Sequence, residues 1–209
     1  MIPSKTFTIA TVFFICSKNH IIKLQTLRAN SKKKNCIFNK YANWSRFYIN
    51  NVYPNIEKGL YLDLDILFRG NIDKIFTINF EDKAIGVVSY CGKKSKRINY
   101  SKGKKDFEKE FNINYDKINN NYNCGVIYYN FSKLKNLSTL IENILEYQVN
   151  NGRICKQGTE PIHNILFNEY VELDKKYNCI PTKKKINGII IHFKGQNSYD
   201  KMSLLVDKI

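Results

Sequence analysis

Residues 59–68, GLYLDLDILF, constrain the fold more than any other part of this chain. The stretch is apolar almost throughout, yet carries two carboxylates two positions apart. An apolar run of this length, closed by Arg69-Gly70-Asn71, reads as a buried strand. Side chains two apart on an extended strand face the same way. Asp63 and Asp65 are therefore expected to project together, with Leu62, Leu64 and Ile66 on the opposite side. Paired carboxylates at the end of an apolar strand repel each other and lose hydration, unless a cation stands between them. A hard divalent ion, Mn²⁺ or Mg²⁺, fits such a pair, because it takes oxygen ligands and keeps positions for phosphate.

Around this strand the pattern alternates. Residues 6–16, 84–90, 126–130 and 188–193 read as further strands. Residues 42–52 read as a helix through Trp44, Phe47, Tyr48 and Val52, ended by Pro54, and residues 72–76 as a helical turn. A longer helix is expected over 133–149, with Leu134, Leu137, Leu140, Ile141, Ile144 and Leu145 inward. Another is expected over 160–167, with Pro161 tolerated in its first turn. Residues 21–34 are polar and loosely helical, and residues 91–121, rich in Lys and Asn, read as a surface excursion. Strands alternating with helices predict an α/β class, with a mixed, mostly parallel sheet flanked by helices. At 209 residues the chain is expected to form one domain over 1–209.

The net charge of +16 admits an anionic partner. Lys, Asn and Ile are enriched together throughout, however, as in Asn119–Asn121 and Lys183–Lys185. No clustered basic helix or nucleic-acid reading motif accompanies the charge, so no nucleic-acid partner is expected. The six cysteines stand singly, without metal-ligand spacing, which favours reduced thiols and a cytoplasmic setting. The apolar residues 7–16 are too few to span a membrane.

Four segments together resemble family 8 glycosyltransferases, the glycogenin and bacterial galactosyltransferase group. They are SRFYINNVYPNIEKGLYLDLDILFRGNIDKIF (45–76), NCGVIYYNFSKLK (123–135), QGTEPIHNILFNEYVELDKKYNC (157–179) and IIIHFKG (189–195). The resemblance implies a GT-A-like fold, a UDP-sugar donor, Mn²⁺ or Mg²⁺, and hexose transfer with retention. The acceptor would be a glycan, a lipid-linked sugar or a protein. Asp63 and Asp65 would bind the metal, Asp63 also touching the donor, with His192 as third ligand. By itself a lone His192 would be a satisfied core or strand-end histidine, as His20 and His163 are expected to be. Arg46 would reach the donor; as a residue of an ordinary helix it would lie at the surface. Asn123 and Gly125 would line the donor-sugar pocket, and Gly195 would let backbone approach the diphosphate. Glu160 falls where the family has the Gln of an Asp-Gln-Asp motif, nearest the reacting carbon, and could stabilise positive charge there or accept a proton; by itself it would be a surface Glu.

Three departures stand out. The Asp-Gln-Asp motif reads Thr159-Glu160-Pro161. Ser198 occupies the position of the family's phosphate-binding Lys, for which Lys194 or Lys201 could substitute, Lys201 being preferred. No uracil-holding Ala-Asp loop is found in residues 1–40, so either residues 6–16 are a diverged first strand or the amino terminus is shortened. Two alternatives stay open: a catalytically impaired relative acting as a binding module, and a basic nucleic-acid-associated protein. Haloacid dehalogenase-like phosphatases share the DxD pattern but need a later GDxxxD-type motif, which this chain lacks.

Overall fold

The computed structural model describes residues 8–10, 41–89, 104–114, 121–151, 159–181 and 187–194. Strands are β1 (Thr8–Ala10), β2 (Lys58–Leu62), β3 (Ile66–Phe68), β4 (Ile85–Ser89), β5 (Tyr122–Asn130), β6 (Val171–Glu172) and β7 (Ile190–His192). Helices are α1 (Tyr41–Trp44), α2 (Ile49–Val52), α3 (Asp73–Phe76), α4 (Lys104–Phe111), α5 (Leu137–Asn151) and α6 (Glu160–Leu166).

Five strands form the main sheet, in the order β1-β2-β5-β4-β6, and β3 pairs with β7 in a second, two-stranded sheet. The main sheet is mixed, as expected, though parallel pairing does not dominate. β1–β2 and β4–β6 are parallel, whereas β2–β5 and β4–β5 are antiparallel. Central β5 is buried along its whole length, because both of its faces are covered. Ile127 and Tyr129 point into one apolar cluster with Trp44, Phe47, Ile141, Ile144 and Ile165. Val126 and Tyr128 point into the other, with Leu60, Leu62, Ile75, Phe80 and Ile190. This is the two-residue period of a strand covered on both sides.

Several expectations need correction. The strand expected over 59–68 is two strands in two sheets. The chain stays with β5 as far as Asp63, whose N–H donates to the Gly125 carbonyl at 2.8 Å. It then turns, and Ile66 pairs with His192 in the second sheet. Two carboxylates cannot continue into a sheet closed on both faces, so the chain leaves where they occur. Leu64 consequently points outward, at 54% exposure, rather than into the core. The helix expected over 42–52 is α1 and α2 with a 3₁₀ turn, Ser45–Phe47, between them. Its anchors Trp44, Phe47 and Tyr48 are buried as their spacing implied.

Helix α5 begins at Leu137, after a 3₁₀ turn, and Leu140 is exposed rather than inward. The excursion over 91–121 contains α4. Its Phe107 is 1% exposed and packs its ring on Phe111 and Tyr147. One aromatic with a partner four residues on is enough to seat a helix that has few aliphatics. The expected strand over 6–16 is described as β1 alone. Residues 21–34, Cys16, Cys36, Cys91, Cys155, His20, Gly195, Ser198 and Lys201 lie outside the described residues.

Candidate active site

The second sheet folds β7 back beside the turn that carries the two acids. Backbone bonds fix every member of the resulting cluster. Asp63 N–H is held by β5, the Asp65 carbonyl accepts from Phe193 N–H at 2.8 Å, and His192 N–H donates to the Cys179 carbonyl at 2.9 Å. Asp63, Asp65 and His192 each offer one ligand atom, all within 4.8 Å of one another. His192 Nε2 lies 3.2 Å from Asp65 Oδ1 and 3.8 Å from Asp63 Oδ2. The imidazole is 2% exposed, whereas the carboxylates reach solvent at 30% and 20%. The cluster is thus rooted in the core and open on its acidic side. The neighbouring His192 ring holds the Asp65 carboxyl below its usual range, against an opposing push from burial. Two carboxylate oxygens and an imidazole nitrogen make a donor set suited to Mn²⁺, so these side chains fit the ion that the strand pattern anticipated.

Arg46 is neither at the surface nor free to move. At 4% exposure it donates from Nη2 to Asp63 Oδ1 at 3.1 Å and from Nη1 to the Cys124 carbonyl at 2.6 Å. Nε donates to the Asn43 carbonyl at 3.0 Å, and the guanidinium lies 4.6 Å from the Tyr61 ring centre. Tyr61 O–H donates to the same Asp63 oxygen at 2.7 Å. Asp63 Oδ1 is therefore occupied by Arg46 and Tyr61, and Oδ2 is the oxygen turned toward His192. A planar, permanently charged fork suits a buried pairing of this kind.

Asn123 and Glu160 also come together. Asn123 Nδ2 donates to Glu160 Oε2 at 3.0 Å, while its Oδ1 accepts from Gly125 N–H at 2.8 Å. Asn164, one turn further along α6, donates to the carbonyls of Glu160 and Tyr122 and accepts from Tyr122 N–H. The start of α6 is thereby clamped to the start of β5. Gly125 has a more specific task than lining a pocket: a β-carbon there would collide with the His192 ring. Glycine is what lets the imidazole lie against β5.

His163 is fully buried in the core. Its Nδ1 and Nε2 each lie 2.8 Å from a tyrosine hydroxyl, Tyr122 and Tyr129 respectively. Burial, reinforced by the charge of Arg46, drives its pKa well below the ordinary imidazole value. It is the satisfied core histidine the sequence suggested.

Sequence reasoning missed Tyr61 and Asn178. Tyr61 had a signal, since it precedes Asp63 by two on the same strand. Asn178 lay in the segment 157–179 that carries the resemblance, but no spacing tied it to His192: the two meet at Nδ1, at 3.1 Å, across a separation of 14 residues.

A family model described as Glycosyl transferase family 8 matches residues 3–198. The curated glycosyltransferase GlyF of Streptococcus pneumoniae serotype 4 (strain ATCC BAA-334 / TIGR4) is 27% identical over 143 residues, which is 66% of this chain. The matched region spans 29% of that relative's length. Among solved structures, the galactosyltransferase LgtC in complex with donor and acceptor sugar analogues aligns with a TM-score of 0.58 at 13% identity. That alignment covers 87% of this chain and 72% of LgtC. Mouse xyloside xylosyltransferase 1, in its apo form, aligns at TM-score 0.50 and 14% identity, covering 86% and 73%. At these identities the likeness is one of fold. Among the described residues, no helix is long and apolar enough to cross a membrane.

Proposed function

The chain belongs to glycosyl transferase family 8 and has the GT-A fold, and on that premise we propose that it is a retaining hexosyltransferase acting on a UDP-sugar. Asp63, Asp65 and His192 would hold Mn²⁺ or Mg²⁺. When bound, such an ion supplies Lewis-acid stabilisation of the charge on a departing nucleoside diphosphate.

One observation carries the reading: in a family 8 chain, three oxygen- and nitrogen-bearing side chains from two distant segments converge within 4.8 Å. Charge placement supports it further. Asp63 is shared between the cluster and the buried Arg46, so its orientation is fixed before any ligand arrives. Preorganisation of this kind is where electrostatic catalysis gains most, because nothing need reorient during the reaction. Glu160, held by Asn123 at the start of α6, would place negative charge where positive charge develops at the anomeric carbon. Asn123 and Gly125 would border the donor sugar, and Arg46 would act on the donor through Asp63. Gly195 would keep the diphosphate role that the resemblance gives it, and Lys201, or Lys194, would stand in for the family's phosphate-binding Lys. A glycan, a lipid-linked sugar or a protein side chain would be the acceptor.

The test is UDP-sugar hydrolysis over a panel of donors, with and without Mn²⁺, for wild type and Asp65→Asn. Turnover should need the metal, and the variant should lose about 10³-fold, the equivalent of several kcal/mol of charge stabilisation. Hydrolysis indifferent to both the metal and the mutation overturns the proposal.

A further inference from the structure

Outside the three candidate ligands, a buried polar side chain of the segment 157–179 meets the cluster and has no role of its own in the reading above. Asn178 is 7% exposed and follows the 3₁₀ turn Lys175–Tyr177. Its place is set by main chain. The next residue, Cys179, bridges to Ile191 in parallel, with Cys179 N–H donating to Ile190 and the Cys179 carbonyl accepting from His192 N–H, both at 2.9 Å. The side chain then lies with Oδ1 3.1 Å from His192 Nδ1. The opposite ring nitrogen, Nε2, is the one that faces Asp65 and Asp63.

Tautomer chemistry links these facts. A neutral imidazole that offers a lone pair from Nε2 carries its proton on Nδ1. An amide oxygen accepts and never donates, so Asn178 Oδ1 is satisfied by the Nδ1–H form. The ring cannot turn freely to escape this choice, because it lies against Gly125, where even a β-carbon would collide with it.

We propose that Asn178 is a positioning residue that fixes His192 in the orientation and tautomer from which Nε2 ligates a divalent cation beside Asp63 and Asp65. The proposal rests on the metal-binding reading of that cluster. Outer partners of ligating histidines set ring orientation and ligand basicity, and their loss weakens metal binding by about 10- to 100-fold.

Mn²⁺ titration of the purified full chain, followed by electron paramagnetic resonance of the free ion, separates the possibilities. Wild type, Asn178→Leu and Asn178→Asp are compared, with metal-free melting temperatures recorded alongside. Asn178→Leu should bind Mn²⁺ about 10- to 100-fold more weakly. Asn178→Asp, which keeps an acceptor facing Nδ1, should bind at least as tightly as wild type. Leucine binding as wild type does, or aspartate as weak as leucine, overturns the assignment. Should the leucine variant not fold, the aspartate arm decides alone: retained binding supports the role and weakened binding removes it. A wild-type chain that binds no Mn²⁺ overturns the reading of the cluster itself, a result distinct from binding that ignores Asn178.

Discussion

His192 and His163 are buried almost equally, at 2% and 0% exposure, and each has both ring nitrogens engaged. They differ in what surrounds them. His163 sits between two tyrosine hydroxyls that can donate or accept as the ring requires. Such a site is neutral, closed and complete. His192 has an amide on one side and two carboxylates on the other, and the carboxylates reach solvent. Burial alone therefore does not separate a core histidine from a candidate ligand. The charge of the partners and a path to water do.

That contrast can be broken at several points, the largest effect first. His192→Ala should lower metal-dependent turnover by about 10³-fold, because it removes a ligand outright. Its melting temperature in EDTA should stay close to that of wild type; a loss of fold matching the loss of activity would make His192 a second structural histidine. His163→Ala should do the reverse. It opens a cavity and strips Tyr129 of its hydroxyl partner, for a loss of about 2–4 kcal/mol in urea unfolding. Mn²⁺ affinity, measured on the folded fraction, should not change.

Gly125→Ala tests how tightly the open site is built. The added methyl group displaces the His192 ring, and Mn²⁺ binding should weaken by about 10- to 100-fold, as for loss of an orienting partner. Binding at wild-type strength would show that the ring has room the geometry denies it. The smallest effect is in pH. The folded protein refuses the proton that His163 accepts, at a pH near 6.5, once unfolded. Below that pH the unfolded chain binds more protons, so stability falls as pH falls, by at most about 1.4 kcal/mol per pH unit. His163→Gln should flatten this slope between about pH 6.5 and 5.5 in denaturant titrations; an unchanged slope would assign it to other groups.

Much of this was legible in the chain. The apolar stretch around Asp63 and Asp65 announced a buried strand with a charge problem at one end. His192, unremarkable alone, became a candidate ligand through the spacing of IIIHFKG among four ordered segments. His163 was rightly left as core, and Pro161 did begin a helix. Other features were not legible. Leu140 has the spacing of an inner-face residue yet is exposed, because the face a helix buries depends on what lies opposite. Phe107 sat in a run too polar to suggest packing, and its partner Tyr147 is forty residues away in sequence.

The sequence by itself determined the class of the fold, the central strand and the identity of the acids, since these follow from local periodicity and from the desolvation of adjacent charges. The tertiary structure alone decided how the cluster is assembled. The break after Asp63 that moves one strand into a second sheet, the Arg46 grip on one oxygen of Asp63, and the meeting of Asn178 with His192 all join residues through space. No spacing rule reports such contacts. A hydrogen bond depends on distances of a few tenths of an ångström between segments whose separation along the chain carries no trace of it.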